Sequence, residues 1–166
     1  MPVPITGVLV PSDPNTPPSR ITLGPEKMAF LRSSGKSERG LCHLVALHQP
    51  AGNLCVYRED SALPVNSLAS LILRAADPER RQDRVRGDAV LVGVARGDDY
   101  ESAPSAFTDV LLGGGGRFGV EFLPPQGGTP QRLSYPEWDD VTSAYREGLR
   151  LGRALPRMAV RVVRLR

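Results

Sequence analysis

The sequence predicts an α+β fold: a mixed, largely antiparallel sheet packed with one central helix, followed by a C-terminal helix–strand extension. Three observations carry that expectation. Apolar runs of strand length at residues 5–10, 41–48, 54–58 and 89–95 are separated by proline- and glycine-rich turns. Between the last two, Leu68, Leu71, Ile72 and Ala75 recur at the spacing of one helical face. Beyond residue 133 a second helical pattern, 134–155, is closed by Pro156 and followed by an apolar run at 158–165.

Taken in order, residues 5–10 and 20–23 read as the first two strands. Pro11, Pro14, Pro17 and Pro18 stand between them, and prolines so close together cannot lie inside a sheet, so the connection is exposed. Pro25 opens a short helix toward Leu31, in the first helical position where its missing N–H costs nothing. Residues 32–40, small and polar, form a loop. The runs 41–48 and 54–58 make a hairpin across Gln49, Pro50, Ala51 and Gly52. A four-residue turn there sets His43 opposite Arg58 and Val45 opposite Val56. One face then carries His43, Val45, Leu47, Leu54 and Val56, and the other Cys42, Leu44, Ala46, His48, Cys55 and Tyr57.

Asn66 stands where a helix cap belongs, its side-chain oxygen placed to accept from a free N–H of the first turn, and Pro78 marks the helix end. Residues 79–86 are nearly all charged and read as a solvated loop. The run 89–95 reads as a strand buried on both faces. Residues 107–112 read as another short strand running into Gly113, Gly114, Gly115 and Gly116, whose large ordering entropy marks a hinge. A strand at 118–123 and a flexible stretch at 124–130 follow. Ser134 and Glu137 have capping-box spacing, with Trp138, Val141, Tyr145, Leu149 and Gly152 on the packing side of the helix they open. The chain thus divides into a core at 1–112, a glycine- and proline-rich connection at 113–133, and an arginine-rich helix and terminal strand at 134–166 packed on the core.

Composition bounds what such a chain does. Its 166 residues are enough for one domain with a real core, and 40% hydrophobic with 23% charged residues excludes wholesale disorder. Aromatics at 5% leave the core to Leu and Val. The first ten residues lack the charged and apolar regions of a secretory signal, and no run approaches the ~20 apolar residues of a membrane span. With only two cysteines and no disulfide framework, the expected location is the cytoplasm. The net charge of +3 hides an asymmetry: from residue 141 onward seven arginines stand against Glu147 alone. A mildly acidic body carrying a basic end points to an anionic partner.

Several short strings in fixed order, Gly7-Val8-Leu9-Val10-Pro11-Ser12-Asp13, Leu63-Pro64-Val65-Asn66-Ser67-Leu68-Ala69, Val85-Arg86-Gly87-Asp88-Ala89-Val90-Leu91-Val92-Gly93 and Thr108-Asp109-Val110, resemble a group of domains of unknown function. That group is bacterial, above all actinobacterial, and is also carried by phages and other mobile elements. The resemblance covers roughly residues 5–112. It implies an intracellular accessory protein without an assigned reaction, and nothing about the segment after Gly113.

Local motifs for chemistry are weak. Gly35-Lys36-Ser37 matches the end of a phosphate-binding P-loop, but Phe30 stands where the first glycine belongs. Gly114, Gly116 and Gly119 fit a dinucleotide fingerprint, yet a strand rather than a helix follows. Cys42, His43, His48 and Cys55 are zinc-ligand types. In the register above His43 faces away from the others, and the two cysteines are offset by ~13 Å along their strands. Asp98, Asp99 and Glu101, with Asp88 and Asp109 elsewhere, are the candidates for a divalent cation or acid–base pair.

The strongest signal is basic. Arg146, Arg150, Arg153 and Arg157 are spaced by four, three and four residues, one stripe of about 16 Å along a helix. The expectation is therefore a non-catalytic binding or accessory protein acting on a macromolecular partner, protein or nucleic acid, with no catalytic residue, no cofactor and no membrane. Two alternatives are nucleic-acid binding through the arginine stripe, and a small metal-dependent hydrolase or nuclease built on Asp98, Asp99 and Glu101.

Overall fold

The computed structural model of the chain describes residues 3–24, 26, 42–57, 62–97, 99–133 and 136–166. Strands β1 (Ile5–Val10), β2 (Ser19–Leu23), β3 (Cys42–His48), β4 (Ala51–Tyr57) and β5 (Ala89–Val92) form one sheet in the order β2-β1-β5-β4-β3. Every neighbour is antiparallel. The first four residues of the apolar run at 89–95 supply the central strand; it is shorter than expected, ending at Val92, and Val94 and Ala95 are exposed. A hairpin of β6 (Ala95–Arg96) and β7 (Asp99–Tyr100) follows, and β8 (Arg117–Leu123), β9 (Gln131–Arg132) and β10 (Ala159–Leu165) make a second antiparallel sheet in the order β10-β8-β9. Helices α1 (Ser67–Ala76), α2 (Ser105–Leu111) and α3 (Val141–Leu151) complete the α+β architecture.

One face of the larger sheet holds Val8, Val10, Val45, Leu47, Leu54, Val56, Ala89 and Leu91. These merge with α1, α2, α3 and the second sheet into a single apolar cluster reaching Val120, Phe122, Val160 and Val162. The other face carries a smaller cluster of Ile5, Leu23, Cys55 and Val92. Helix α1 lies between the first sheet and the α3–β10 layer. That enclosure explains why its buried arc is wider than the predicted stripe: Ala69, Ile72, Leu73, Ala75 and Ala76 are buried, while Leu68 and Leu71 are only partly so.

Asn66 fixes the start of α1. It is fully buried, and every polar atom of its side chain has a partner: Oδ1 accepts from Ala69 N–H at 3.0 Å, and Nδ2 donates to the carbonyls of Val10 at 2.8 Å and Gly87 at 2.9 Å. Its backbone carbonyl accepts from the Ser70 hydroxyl, whose oxygen in turn accepts from Val85 N–H. Asp88 adds a tie to Ser12, accepting from its N–H and hydroxyl. The segments 7–13, 63–69 and 85–93 therefore meet in space, tied together by these hydrogen bonds.

Several expectations are corrected. The β3–β4 turn is Gln49-Pro50, with His48 opposite Ala51, so His43 faces Val56 and Val45 faces Leu54. Ala51 and Gly52 join the ladder instead of the turn. The shift is by two residues, which preserves side-chain parity, so the same residues share each face. Residues 107–112 form helix α2 and its cap, not a strand. Phe107, Val110 and Leu111 are buried at helical spacing, a period too short-lived in sequence to separate from a strand. The expected solvated loop at 79–86 is tied down: Pro78–Arg80 is a 3₁₀ turn, Val85 is buried, and Arg74 Nε donates to Asp83 O at 2.7 Å.

Helix α3 starts at Val141, seven residues later than its capping-box signal. Trp138 pairs with Phe118 through two backbone hydrogen bonds and draws the preceding chain onto β8, while Glu137 pairs with Arg117 at 3.2 Å; Ser134 lies outside the described residues. The working cap is Asp140, whose Oδ1 accepts from Ser143 N–H at 2.8 Å. The glycine run is not a bare hinge either. The Arg164 guanidinium donates to the carbonyls of Asp109, Gly114 and Gly115 and lies 4.9 Å from the Phe118 ring centre. A Cβ on Gly113 or Gly116 would collide with that guanidinium, so the glycines make its cradle. No helix of the described residues is long and apolar enough to cross a membrane.

Candidate anion-binding groove

Helix α3 turns Ala144, Tyr145 and Gly148 inward, and Gly148 is where it approaches the second sheet most closely: a Cβ there would lie 2.8 Å from Val160 Cγ1 and 3.1 Å from Val120 Cγ1. With that side committed to the core, Arg146 and Arg150 project outward. The 3₁₀ turn Gly152–Ala154 continues the line to Arg153. All three are exposed, and Arg157, also exposed, stands just beyond.

The predicted stripe turns out to be one wall of a groove of about 690 Å³. Arg146, Arg150 and Arg153 line it from α3 and its extension, and Arg74 and Arg81 line it from α1 and the turn that follows. Leu71, Leu149 and Pro156 supply its apolar part, and Glu147 is the one acidic residue that lines it. Arg157 does not line it. Sequence reasoning missed Arg74 and Arg81. The arginine-rich composition of 79–86 is a signal for Arg81 alone, and it reads as a solvated loop because nothing local shows that Arg81 reaches residues more than 70 positions away.

The arginines differ in how firmly they are held. Arg81 is half-buried; Nη2 donates to Met158 O at 2.5 Å, Nη1 reaches Gly152 O at 3.5 Å, and Nε is buried with no acceptor among the described residues. Burial lowers its pKa below the ordinary arginine value, yet a guanidinium stays charged at any physiological pH. Arg74 donates to a carbonyl, and Arg150 pairs with Glu147 at 2.8 Å. Arg74, Arg81, Arg146 and Arg153 form no salt bridge among the described residues. Asp140 has its carboxyl pKa lowered first by its hydrogen bonds from Ser143, with the field of Arg146 adding less. The groove thus presents guanidiniums from two elements with little intramolecular compensation.

Most other charged clusters are committed internally; a second groove of about 730 Å³ is lined by Arg161 and Arg164, both held by partners, and by Arg20 and Arg166, which form no salt bridge among the described residues. On the far side of the 78–86 turn a cavity of about 640 Å³ is lined by Val45, Val56 and Leu73 with His43, Arg80 and Arg86 at its edge. There Arg80 pairs with Asp77 and Asp83, and Arg86 donates to Leu63 O. Arg161 is held by Glu121 across β8 and β10. Glu101 lies 3.6 Å from Arg96, Asp99 sits in the β6–β7 hairpin, and Asp98 is outside the described residues. Asp88 serves Ser12, and Asp109 lies on α2, remote in sequence from both.

The zinc-type residues stay divided. His48 is exposed beside Asp77 at 3.4 Å, Cys55 is buried in the smaller cluster, and His43 keeps to the opposite face. The corrected register shortens the Cys42–Cys55 offset to two positions, from Tyr57 to Cys55. Among the described residues no three His, Cys, Asp or Glu side chains gather as a metal site. Gly35, Lys36 and Ser37 lie outside the described residues. Gly114 and Gly116 lead from α2 into strand β8, the wrong element for a pyrophosphate cradle.

No protein-family model matches the chain, and neither the curated proteins nor the solved structures yield a match.

Proposed function

We propose that the chain is a non-catalytic binding protein that docks an anionic macromolecular partner in the groove between α1 and α3. One observation carries this reading: five arginines line a single groove, and four of them make no salt bridge among the described residues. A half-buried cation left without a counter-ion is costly, and an incoming anion removes that cost. The rest of the molecule's notable polar groups support the reading by contrast, since Asn66, Ser70, Asp88 and Arg164 are each bonded to the backbone. The likeness of residues 5–112 to mobile-element domains favours an accessory role in the cytoplasm.

Retention on an immobilised polyanion such as heparin tests the proposal. The expected result is that Arg150→Glu with Arg153→Glu elutes at clearly lower salt than the parent protein. Identical elution of the two would remove the groove from consideration.

A further inference from the structure

Resting on that reading of the groove, we infer that the partner is duplex nucleic acid, held by its phosphate backbone without reading of the bases. Three features carry the inference. The guanidiniums come from both walls, Arg74 on one and Arg146, Arg150 and Arg153 on the other, with Arg81 reaching across from the first to the carbonyls of Gly152 and Met158, so a narrow anionic ridge seated between them meets donors on each side. A phosphodiester strand is such a ridge, with one charge per ~3.4 Å of axis. The cations are arginines, whose planar fork of donors matches phosphate oxygens, in a chain with 19 arginines and two lysines.

Among the described residues no aromatic side chain lines the groove. Single-strand binders stack bases on aromatic rings, so a groove that offers only guanidiniums and aliphatic contacts suits a partner whose bases are already paired. An acidic protein surface fits less well, because the cores of protein interfaces are depleted of charge and this groove is lined mainly by it. Arg81 is the fixed element of the site. The carbonyls of Gly152 and Met158 hold its guanidinium in place, while Arg146 and Arg153 are free to follow the strand. Arg157, exposed beyond the groove, extends the row.

Fluorescence anisotropy on the full chain tests this with a labelled duplex of about 20 base pairs in two unrelated sequences, the corresponding single strand, and poly-glutamate as competitor. The two duplexes should bind alike. Log affinity should fall with log salt at a slope of about −4, as four to five phosphate contacts require. Arg150→Glu with Arg153→Glu should flatten that slope by about 2. Arg146→Ala, at an exposed position, should flatten it by about 1 while leaving unfolding unchanged. The single strand should bind roughly tenfold more weakly for want of a stacking platform. Duplex no tighter than single strand would overturn the inference. Poly-glutamate bound in the groove with duplex excluded would overturn it while leaving the docking reading intact. Duplex affinity and slope untouched by every arginine variant would overturn both.

Discussion

Helices α1 and α3 begin alike and end in different circumstances. Each starts from a side-chain oxygen, that of Asn66 or Asp140, accepting from the third N–H beyond it; α1 lies between β3 and β10, and α3 lies against the β8–β10 pair. Around α1 the buried polar side chains Asn66, Ser70 and Asp77 are each bonded to the main chain. Along the outer side of α3 the guanidiniums are exposed and mostly uncompensated. The contrast separates two uses of polarity: buried hydrogen bonds that specify how segments distant in sequence meet, and surface charge left over once the fold is complete. Arg164 shows that the division does not follow residue type: it is an arginine near the basic end, yet its donors are taken by three carbonyls in exposed bonds.

The contrast can be broken most severely at Asn66. Asn66→Asp keeps the cap acceptor but sets a carboxylate oxygen against the carbonyls of Val10 and Gly87, and Asn66→Ala leaves all three partners buried and unpaired. Either should lower unfolding free energy by about 3–5 kcal/mol, measured by urea denaturation. Gly148→Ala probes the inward side of α3. Its methyl meets Val160 and Val120, and the expected loss is about 1–3 kcal/mol, with a smaller loss if Val160→Ala is added.

The exposed cap is worth less and depends on pH. Asp140→Ala should cost about 1 kcal/mol at neutral pH, whereas Asp140→Asn should be nearly neutral there. Because the Asp140 carboxyl is held below its ordinary value in the folded chain, its contribution is complete above that ordinary value and is lost as pH falls through the lowered one. Acid titration of stability should therefore show a component in the parent protein that is missing in Asp140→Asn. Smallest of all is Arg146→Ala with Arg153→Ala, which should shift stability by no more than about 0.5 kcal/mol.

Much of the larger sheet and α1 was legible because their signals are local: alternating strands, an apolar central strand, a cap followed by a helical period. Asn66 was readable as a cap but not as a buried crosslink, since its bonds to Val10 and Gly87 depend on how the strands converge. The start of α3 was misread for a related reason. Ser134 and Glu137 satisfied a local rule, but the pairing of Trp138 with Phe118 took the chain into the sheet first. The groove was half legible. Helical spacing exposed the Arg146, Arg150 and Arg153 wall, while Arg74 and Arg81 came into view only through the packing of α1 beside α3.

The account turns on Arg146 and Arg153, the two groove arginines with neither a hydrogen bond nor a salt bridge among the described residues, being idle in folding and active toward a polyanion. Thermal unfolding of the parent and of Arg146→Ala with Arg153→Ala, each with and without excess heparin, measures both at once, because a ligand that binds only the folded state raises its midpoint. The account predicts equal midpoints without heparin and a rise with heparin that is large in the parent and nearly absent in the variant. A variant that already melts several degrees lower on its own, or one that gains as much from heparin as the parent does, would contradict it.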